Sequence, residues 1–440
     1  MLTLVAALTF MACDTDVEHN IPQVEAPVLV KTIPEAGAAN LKMGEITIQV
    51  EYDKNISFAT SDLNQITFTG GTLISADVLG VGKILTVKVN VPDRETQCAL
   101  SIPEGVVFGP NKMPAPAVSL QFSTIALEKT LANASATASA QKVYSYLIEN
   151  YGTKTLSAMM ANVNWNSDKS EQVYAWTGKY PAINCFDYVH LYASGSNWID
   201  YSDITPAKDW WNNGGLVAAM WHWNVPVSAG SDDYAFYSDD TEFDADNALI
   251  AGTWENDVFT ADLAKISDCL KLLQEAGIPV IWRPFHEAAG TWFWWGKNAT
   301  SHKQMWISMF DYFKTQGVNN LIWVWTAQGN DDDWYPGDAY VDIIGRDLYG
   351  ETNEACVTAF NSTGSTYANR MVALSECGYS EYTESIIAPI SEQWAAGARW
   401  SWFMPWYDNG DDEDTSHGSE AWWKDAMSQS FVITRDDVRL

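Results

Sequence analysis

The chain reads as an α/β protein, a (β/α)8 TIM barrel preceded by an all-β immunoglobulin-like sandwich. Three observations predict this. All 22 Trp residues fall between Trp165 and Trp423, so the composition changes sharply after the first third of the chain. Before the change, apolar and polar residues alternate with the period of a half-buried strand. After it, eight short apolar runs alternate with segments of helical period, as in a parallel sheet covered by helices.

Residues 2–12 form an apolar run too short to span a bilayer but suited to the core of a secretion signal. A small residue before Cys13 resembles a bacterial lipobox, whose cysteine is lipidated. Two features depart from that pattern: no Lys or Arg precedes the run, and Phe10 stands where Leu is usual. The reading places the chain at a bacterial cell envelope, on the outer membrane or cell surface. A lipid on Cys13 would be its one membrane attachment, followed by a flexible tether over residues 14–25. No later run of apolar residues is long enough to span a membrane.

Residues 26–125 supply the sandwich. Ile46, Ile48, Val50 and Tyr52 share one face of a strand, as do Leu85, Val87, Val89 and Val91, and Val118, Leu120 and Phe122. Gly70-Gly71 and Pro-rich turns separate the runs. The segment resembles the immunoglobulin-like modules that follow lipid anchors in bacterial surface proteins. With no Trp to serve as a glycan platform, it reads as a spacer.

Cys98 is alone in that segment, and Cys185, Cys269, Cys356 and Cys377 sit in apolar contexts, which reads as buried thiols rather than a disulfide framework. There is no Cys-x-x-Cys and no His-Glu-x-x-His, so neither a metal nor a cofactor is expected.

Residues 126–140, rich in Ala, Ser and Thr, read as a junction and the start of a helix, and the barrel occupies 128–440. Its strands are expected at 155–165, 182–188, 216–223, 279–287, 320–327, 341–349, 371–378 and 398–407. Over 258–276, Phe259, Leu263, Ile266, Leu270 and Leu273 recur at helical spacing; Met305, Met309, Phe310 and Phe313 do so after His302. Active sites of such barrels lie at the C-terminal ends of the strands. The last residues of the eight runs are Trp165, Asp187, His222, Glu287, Gln328, Tyr349, Glu376 and Trp406. Polar and aromatic groups would converge there, as in a sugar site.

Lys and Arg number 25 against 56 Asp and Glu, a net charge of −31, which argues against nucleic acid and against charged polysaccharides. A neutral ligand remains. Glycoside hydrolysis needs one carboxylic acid to protonate the leaving oxygen and a second carboxylate to attack carbon or activate water. Glu287 and Glu376, ending the fourth and seventh runs, are the candidates. The acidic runs 331–333 and 411–414 lack the spacing of a calcium loop and read as solvated loops beside the cleft.

The motifs Arg283-Pro-Phe-His-Glu287, Trp292-Phe-Trp-Trp-Gly296, Trp334-Tyr-Pro-Gly-Asp338, Val341-Asp-Ile-Ile-Gly345 and Phe403-Met-Pro-Trp-Tyr407 follow in that order. With them, the chain from about residue 128 resembles glycoside hydrolase family 26, the endo-β-mannanase family. His286 stands where most members of the wider clan carry Asn. The resemblance implies a retaining double displacement, with Glu287 as general acid and base and Glu376 as nucleophile. It further implies that Tyr349 bonds the nucleophile, that His222 and His286 bind substrate, and that Trp292 and Trp406 are sugar platforms. Trp282, Trp306 and Trp323 read as packing. Arg283, two pleats behind Glu287, either holds a catalytic carboxylate or closes a salt bridge within the barrel.

The implied substrate is a neutral plant β-mannan, cut internally at β-1,4 linkages by a monomer. The family also includes β-1,3-xylanases and mixed-linkage β-glucanases. A reading from another class is a surface glycan-binding lipoprotein without turnover, which would have no need of both glutamates.

Overall fold

The computed structural model describes residues 25–79, 82–162, 164–191, 199–407 and 416–440. Cys13, most of the expected tether and the acidic run 411–414 lie outside the described residues. The chain divides into two compact units, the first ending at Thr124 and the second beginning at Ile125.

The first unit is built from two sheets. One has the order Leu29–Ile33, Gly44–Phe58, Gly82–Val91, Thr72–Val78, with Val107–Phe108 also paired to Gly44–Phe58. The other runs Ala38–Leu41, Val118–Thr124, Gln97–Ile102, Thr67–Thr69. The pairs are antiparallel except the first two of the second sheet, which are parallel. The period-two residues do what their alternation predicts: Ile48, Val50, Leu85, Val87, Val89, Val91, Leu120 and Phe122 lie in one core.

In the second unit, eight parallel strands close on themselves. They are Thr155–Met160, Ile183–Asp187, Leu216–Met220, Val280–Arg283, Leu321–Ala327, Ile343–Tyr349, Met371–Ser380 and Trp402–Pro405. The first pairs with both the second and the eighth, which completes the barrel. Helix Trp254–Glu275 shows why the covering layer forms. Thr253 caps it by accepting from the Asn256 N–H, and Phe259, Leu263, Ile266, Leu270 and Leu273 are all buried. Each such side chain contributes roughly 1.5–3 kcal/mol on leaving water. Helix Ala299–Thr315 is capped by Asn298 and buries Met305, Met309, Phe310 and Phe313 in the same way.

Several strands stop earlier than their apolar runs predict. The first ends at Met160, the third at Met220, the fourth at Arg283 and the eighth at Pro405. Trp165, His222, Glu287 and Trp406 therefore lie in the loops beyond the strands. The chain turns where non-glycine residues take positive φ: Asn162 (54°), Phe285 (48°) and Glu287 (52°). Pleat counting from Arg283 to Glu287 thus fails, because only Arg283 is in the strand. Asp331 also departs from expectation: it is buried and accepts the Gln328 N–H, while Asp332 and Asp333 are exposed.

The described cysteines are all free thiols, with Cys98, Cys185, Cys356 and Cys377 buried. No described helix is long and apolar enough to cross a membrane.

Candidate active site

The site is assembled at the C-terminal mouth of the barrel, and a sheet irregularity aims its central groups. Strands six and seven pair Arg346 with Leu374 but Asp347 with Glu376, leaving Ser375 as the extra residue of a bulge. The bulge sets Asp347 beside Glu376 and frees the Ser375 hydroxyl to donate to Asp347 Oδ1 at 2.6 Å. Gly345 is required behind it, since a Cβ there would collide with the Ser375 side chain.

Glu376 is 4% exposed, and both its oxygens are taken. Tyr349 Oη donates to Oε2 at 2.7 Å, and Arg283 Nη2 donates to Oε1. Burial first, then Asp347 and Glu287, hold the Tyr349 phenol well above its ordinary range, so it stays a donor. Arg283 also donates through Nη1 to Asp347 Oδ2 (3.0 Å) and Thr326 Oγ1 (2.9 Å). The two roles considered for Arg283 are thus both filled: it holds a glutamate and closes a buried salt bridge.

Glu287 lies across from this pair, half-buried, with Oε2 accepting the Trp292 indole N–H at 3.1 Å. Desolvation, followed by the neighbouring Asp347 carboxylate, pushes its pKa up to about 8; Arg283 and Trp292 oppose that rise. One oxygen from each of Glu287, Asp347 and Glu376 lies within 4.8 Å of those of the other two. Among the described residues this is the one set of acidic, His or Cys groups close enough to share an ion, and Arg283 bonds two of the three. Retaining glycosidases hold their carboxyls about 5–5.5 Å apart and inverting ones about 6.5–9.5 Å, so the spacing suits direct attack on carbon.

The two histidines stand side by side, ring centroids 4.6 Å apart. Asp187, fully buried at the end of strand two, accepts from both the backbone N–H (3.1 Å) and Nδ1 (2.6 Å) of His222, which fixes the ring's tautomer. His286 is 2% exposed, and burial, then His222 and Arg283, keep it neutral by pulling its pKa well below the usual imidazole range. Its Nδ1 is buried and unpartnered among the described residues.

Aromatic groups complete the cleft. Trp292 is 43% exposed, its ring lying over Gly290, where a Cβ would strike the indole. Trp406 is half-buried, its ring 5.8 Å from His222. Tyr237, 49% exposed and stacked on Phe293 at 5.6 Å, is a further wall residue.

The segment carrying Glu287 is tied down by indoles. Trp295 Nε1 donates to the His286 carbonyl (2.8 Å), Trp294 to that of Trp223 (2.7 Å) and Trp334 to that of Gly296 (2.9 Å). His302, fully buried with its pKa brought to about 4 by desolvation, meets the Trp295 carbonyl through Nδ1 at 3.2 Å.

The structure thus brings together Glu287, Glu376, His222, His286, Trp292, Tyr349 and Trp406. Trp165 does not join them; it is buried against Phe186, Tyr188 and Tyr201 and donates its N–H to the Asp203 carbonyl. Gln328 serves the loop, accepting the Gly290 N–H. Trp282, Trp306 and Trp323 are core residues, as read. Sequence reasoning missed Asp347 and Tyr237. Asp347 carried a signal, because a charge inside a barrel strand covered on both faces needs a partner. Tyr237 carried none, lying in an irregular loop.

Comparison with known proteins agrees with this geometry. The profile described as Glycosyl hydrolase family 26 matches residues 132–437. Mannan endo-1,4-beta-mannosidase A of Piromyces sp is 34% identical over 322 residues, covering 71% of this chain and 51% of its own length. The chain thus spans about half the length of that curated relative. Among solved structures, the GH26 domain of an endo-beta-mannanase/endo-beta-glucanase from Prevotella bryantii is 44% identical, with a TM-score of 0.67, covering 71% of this chain and all of that one. A beta-mannanase from a symbiotic protist of the termite Reticulitermes speratus, solved with a gluco-manno-oligosaccharide, is 37% identical, with a TM-score of 0.62. It covers 71% of this chain and 98% of that one.

Proposed function

The chain belongs to glycosyl hydrolase family 26, and on that premise we propose that it is a retaining endo-β-1,4-mannanase. The observation that carries this is the carboxyl pair, close enough for covalent catalysis and placed in unequal surroundings. Glu287, protonated below its raised pKa of about 8, gives its proton to the leaving glycosidic oxygen. Glu376, held by Arg283 and Tyr349, attacks the anomeric carbon and forms a glycosyl-enzyme. Glu287, now ionised, takes a proton from water, whose attack releases the sugar and restores Glu376.

Trp292 and Trp406 present apolar ring faces to pyranose C–H groups, and His222 and His286 take sugar hydroxyls. The net charge of −31 and the mannanase names of the relatives favour a neutral β-mannan, galactomannan or glucomannan. In this reading the first unit is an immunoglobulin-like spacer, Cys13 carries a lipid at the bacterial cell envelope, and the enzyme works as a monomer.

The test is reducing-sugar release from galactomannan, glucomannan, linear mannan, β-1,3-xylan and mixed-linkage β-glucan. A ladder of oligosaccharides from the mannans, with products first appearing in the β configuration, is the expected result. Release from xylan or glucan alone moves the substrate and keeps the chemistry. Initially α products overturn the retaining mechanism. Glu376→Ala should nearly abolish turnover while leaving glycan binding intact; a glycan-binding protein without turnover would show no difference between the two forms.

A further inference from the structure

Asp347 lies among Arg283, Glu287 and Glu376. Its Oδ2 accepts from Arg283 Nη1 at 3.0 Å and its Oδ1 from Ser375 Oγ at 2.6 Å. One of its oxygens lies within 4.8 Å of a Glu287 oxygen, and it pairs in register with Glu376. Two carboxyls can bond each other only if one proton lies between them. Meanwhile Arg283 divides its two terminal nitrogens between Asp347 and Glu376.

We propose that Asp347 is a positioning residue that shares one proton with Glu287 and one guanidinium with Glu376, keeping the four-group cluster at constant charge through both chemical steps. The proposal rests on the reading of Glu287 and Glu376 given above. Before reaction, Glu287 is neutral, Asp347 and Glu376 are anionic and Arg283 is cationic, which leaves one net negative charge. When Glu376 forms its bond to the anomeric carbon, the Glu287 proton departs on the leaving oxygen. Glu287 becomes anionic as Glu376 becomes a neutral ester, and the net charge is unchanged. Attack by water reverses both changes.

Without Asp347 the esterification of Glu376 would strip the buried Arg283, 4% exposed, of its only carboxylate partner among the described residues. An uncompensated buried charge is strongly destabilising. Asp347 is thus the counter-ion Arg283 keeps while the other is consumed. Its negative charge also repels ionisation of Glu287, adding to the desolvation that already holds that carboxyl protonated. The other groups facing the pair are the phenols of Tyr237 and Tyr349, the Trp292 indole, the Thr326 hydroxyl, Cys377 and Arg346. None of these supplies a second exchangeable carboxyl proton.

The test follows Glu287 by carboxyl ¹³C NMR in the full chain without substrate, assigned through Glu287→Gln, alongside the pH profile of kcat/KM. In Asp347→Asn the Glu287 midpoint should fall by about one pH unit or more, and the alkaline limb of kcat/KM should fall with it. Ser375→Ala leaves the carboxylate in place but removes its hydroxyl donor, so Asp347 becomes a stronger acceptor and the midpoint should move the opposite way, up, by less. A lower rate with an unmoved midpoint in both variants overturns the proposal, since a purely structural role would produce that. If the midpoint moves but no β-glycan is hydrolysed by the unaltered protein, the cluster stands and the mannanase reading fails. If Asp347→Asn does not fold, Ser375→Ala alone decides, an unmoved midpoint counting against.

Discussion

Tyr349 and Glu376 meet through a 2.7 Å hydrogen bond from the phenol to Oε2, while Arg283 holds the opposite oxygen. The carboxylate is therefore held at both oxygens. In the proposed mechanism, attack consumes one lone pair and weakens the bonds to both donors. The phenol can follow that change by rotating its hydroxyl, whereas the guanidinium remains tied to Asp347 and Thr326.

Replacing Tyr349 by Phe keeps the ring and removes this one donor. Turnover of mannan should fall by roughly 10²-fold, the usual cost of losing one preorganised donor at a reacting group. The thermal midpoint should change little. Steady-state kinetics with a melting curve checks both; an unchanged kcat would remove Tyr349 from the machinery.

The pH profile follows from Glu287. Its pKa is raised to about 8, so the protonated, competent acid predominates below that pH and is lost above it. The alkaline limb of kcat/KM is expected near pH 8. The same shift makes the folded chain bind more protons than the unfolded one between about pH 4.3 and 8. Stability from this group is therefore full below about pH 4.3 and declines as pH rises through 8. Activity and unfolding measured across pH 4–9 check both signs.

Trp292 has two functions separable by substitution. Its exposed ring is the proposed sugar platform, and its indole N–H bonds Glu287 at 3.1 Å. Trp292→Phe retains much of the platform but loses the bond that favours the Glu287 anion, so the alkaline limb should move up. Trp292→Ala should in addition raise KM for mannan by about 5-fold, in keeping with a stacking contribution near 1 kcal/mol. Equal effects from the two variants would contradict this division.

Asp262 is a buried liability outside the chemistry. It is 1% exposed, accepts the Trp223 N–H through Oδ2 at 2.7 Å, and leaves Oδ1 without a partner among the described residues. Burial raises its pKa to about 7, so its contribution to stability is full below about pH 3.9 and gone above 7. Asp262→Asn should raise the melting temperature by several degrees at pH 8 and leave it nearly unchanged near pH 4. The gain at pH 8 is bounded at roughly 4 kcal/mol, the cost of ionising this carboxyl in its buried place rather than in water. Melting curves of the two forms at both pH values check it, and an equal gain at each would show that ionisation is not the cause.

The eight barrel strands were legible because strands covered on both faces are written as largely apolar runs, as in Leu216–Met220 and Leu321–Ala327. Their ends were not, because an apolar run does not reveal where positive φ will break it, as at Asn162 and Phe285. Glu287 and Glu376 could be picked out by residue type at the barrel mouth. What joins them could not: the bulge at Ser375 that aligns Asp347 with Glu376 depends on pairing between strands nearly thirty residues apart, roughly the span of one βαβ unit. Trp165, read as one of the groups converging at the barrel mouth, is instead a buried strut whose N–H holds the Asp203 carbonyl, as those of Trp294 and Trp295 hold other loop carbonyls.

The left-handed backbone at Glu287, with φ 52° on a side chain that is also desolvated beside a second carboxyl, sets robustness against turnover at a single residue. Asn or Gly at this position would relax the backbone, and either would remove the ionisable group. Laboratory evolution that selects only for heat resistance should therefore drift toward sturdier, inactive chains by losing Glu287 early. Heat-tolerant versions that still degrade polymer would have to gain their resistance elsewhere, with Asp262 the first place to look.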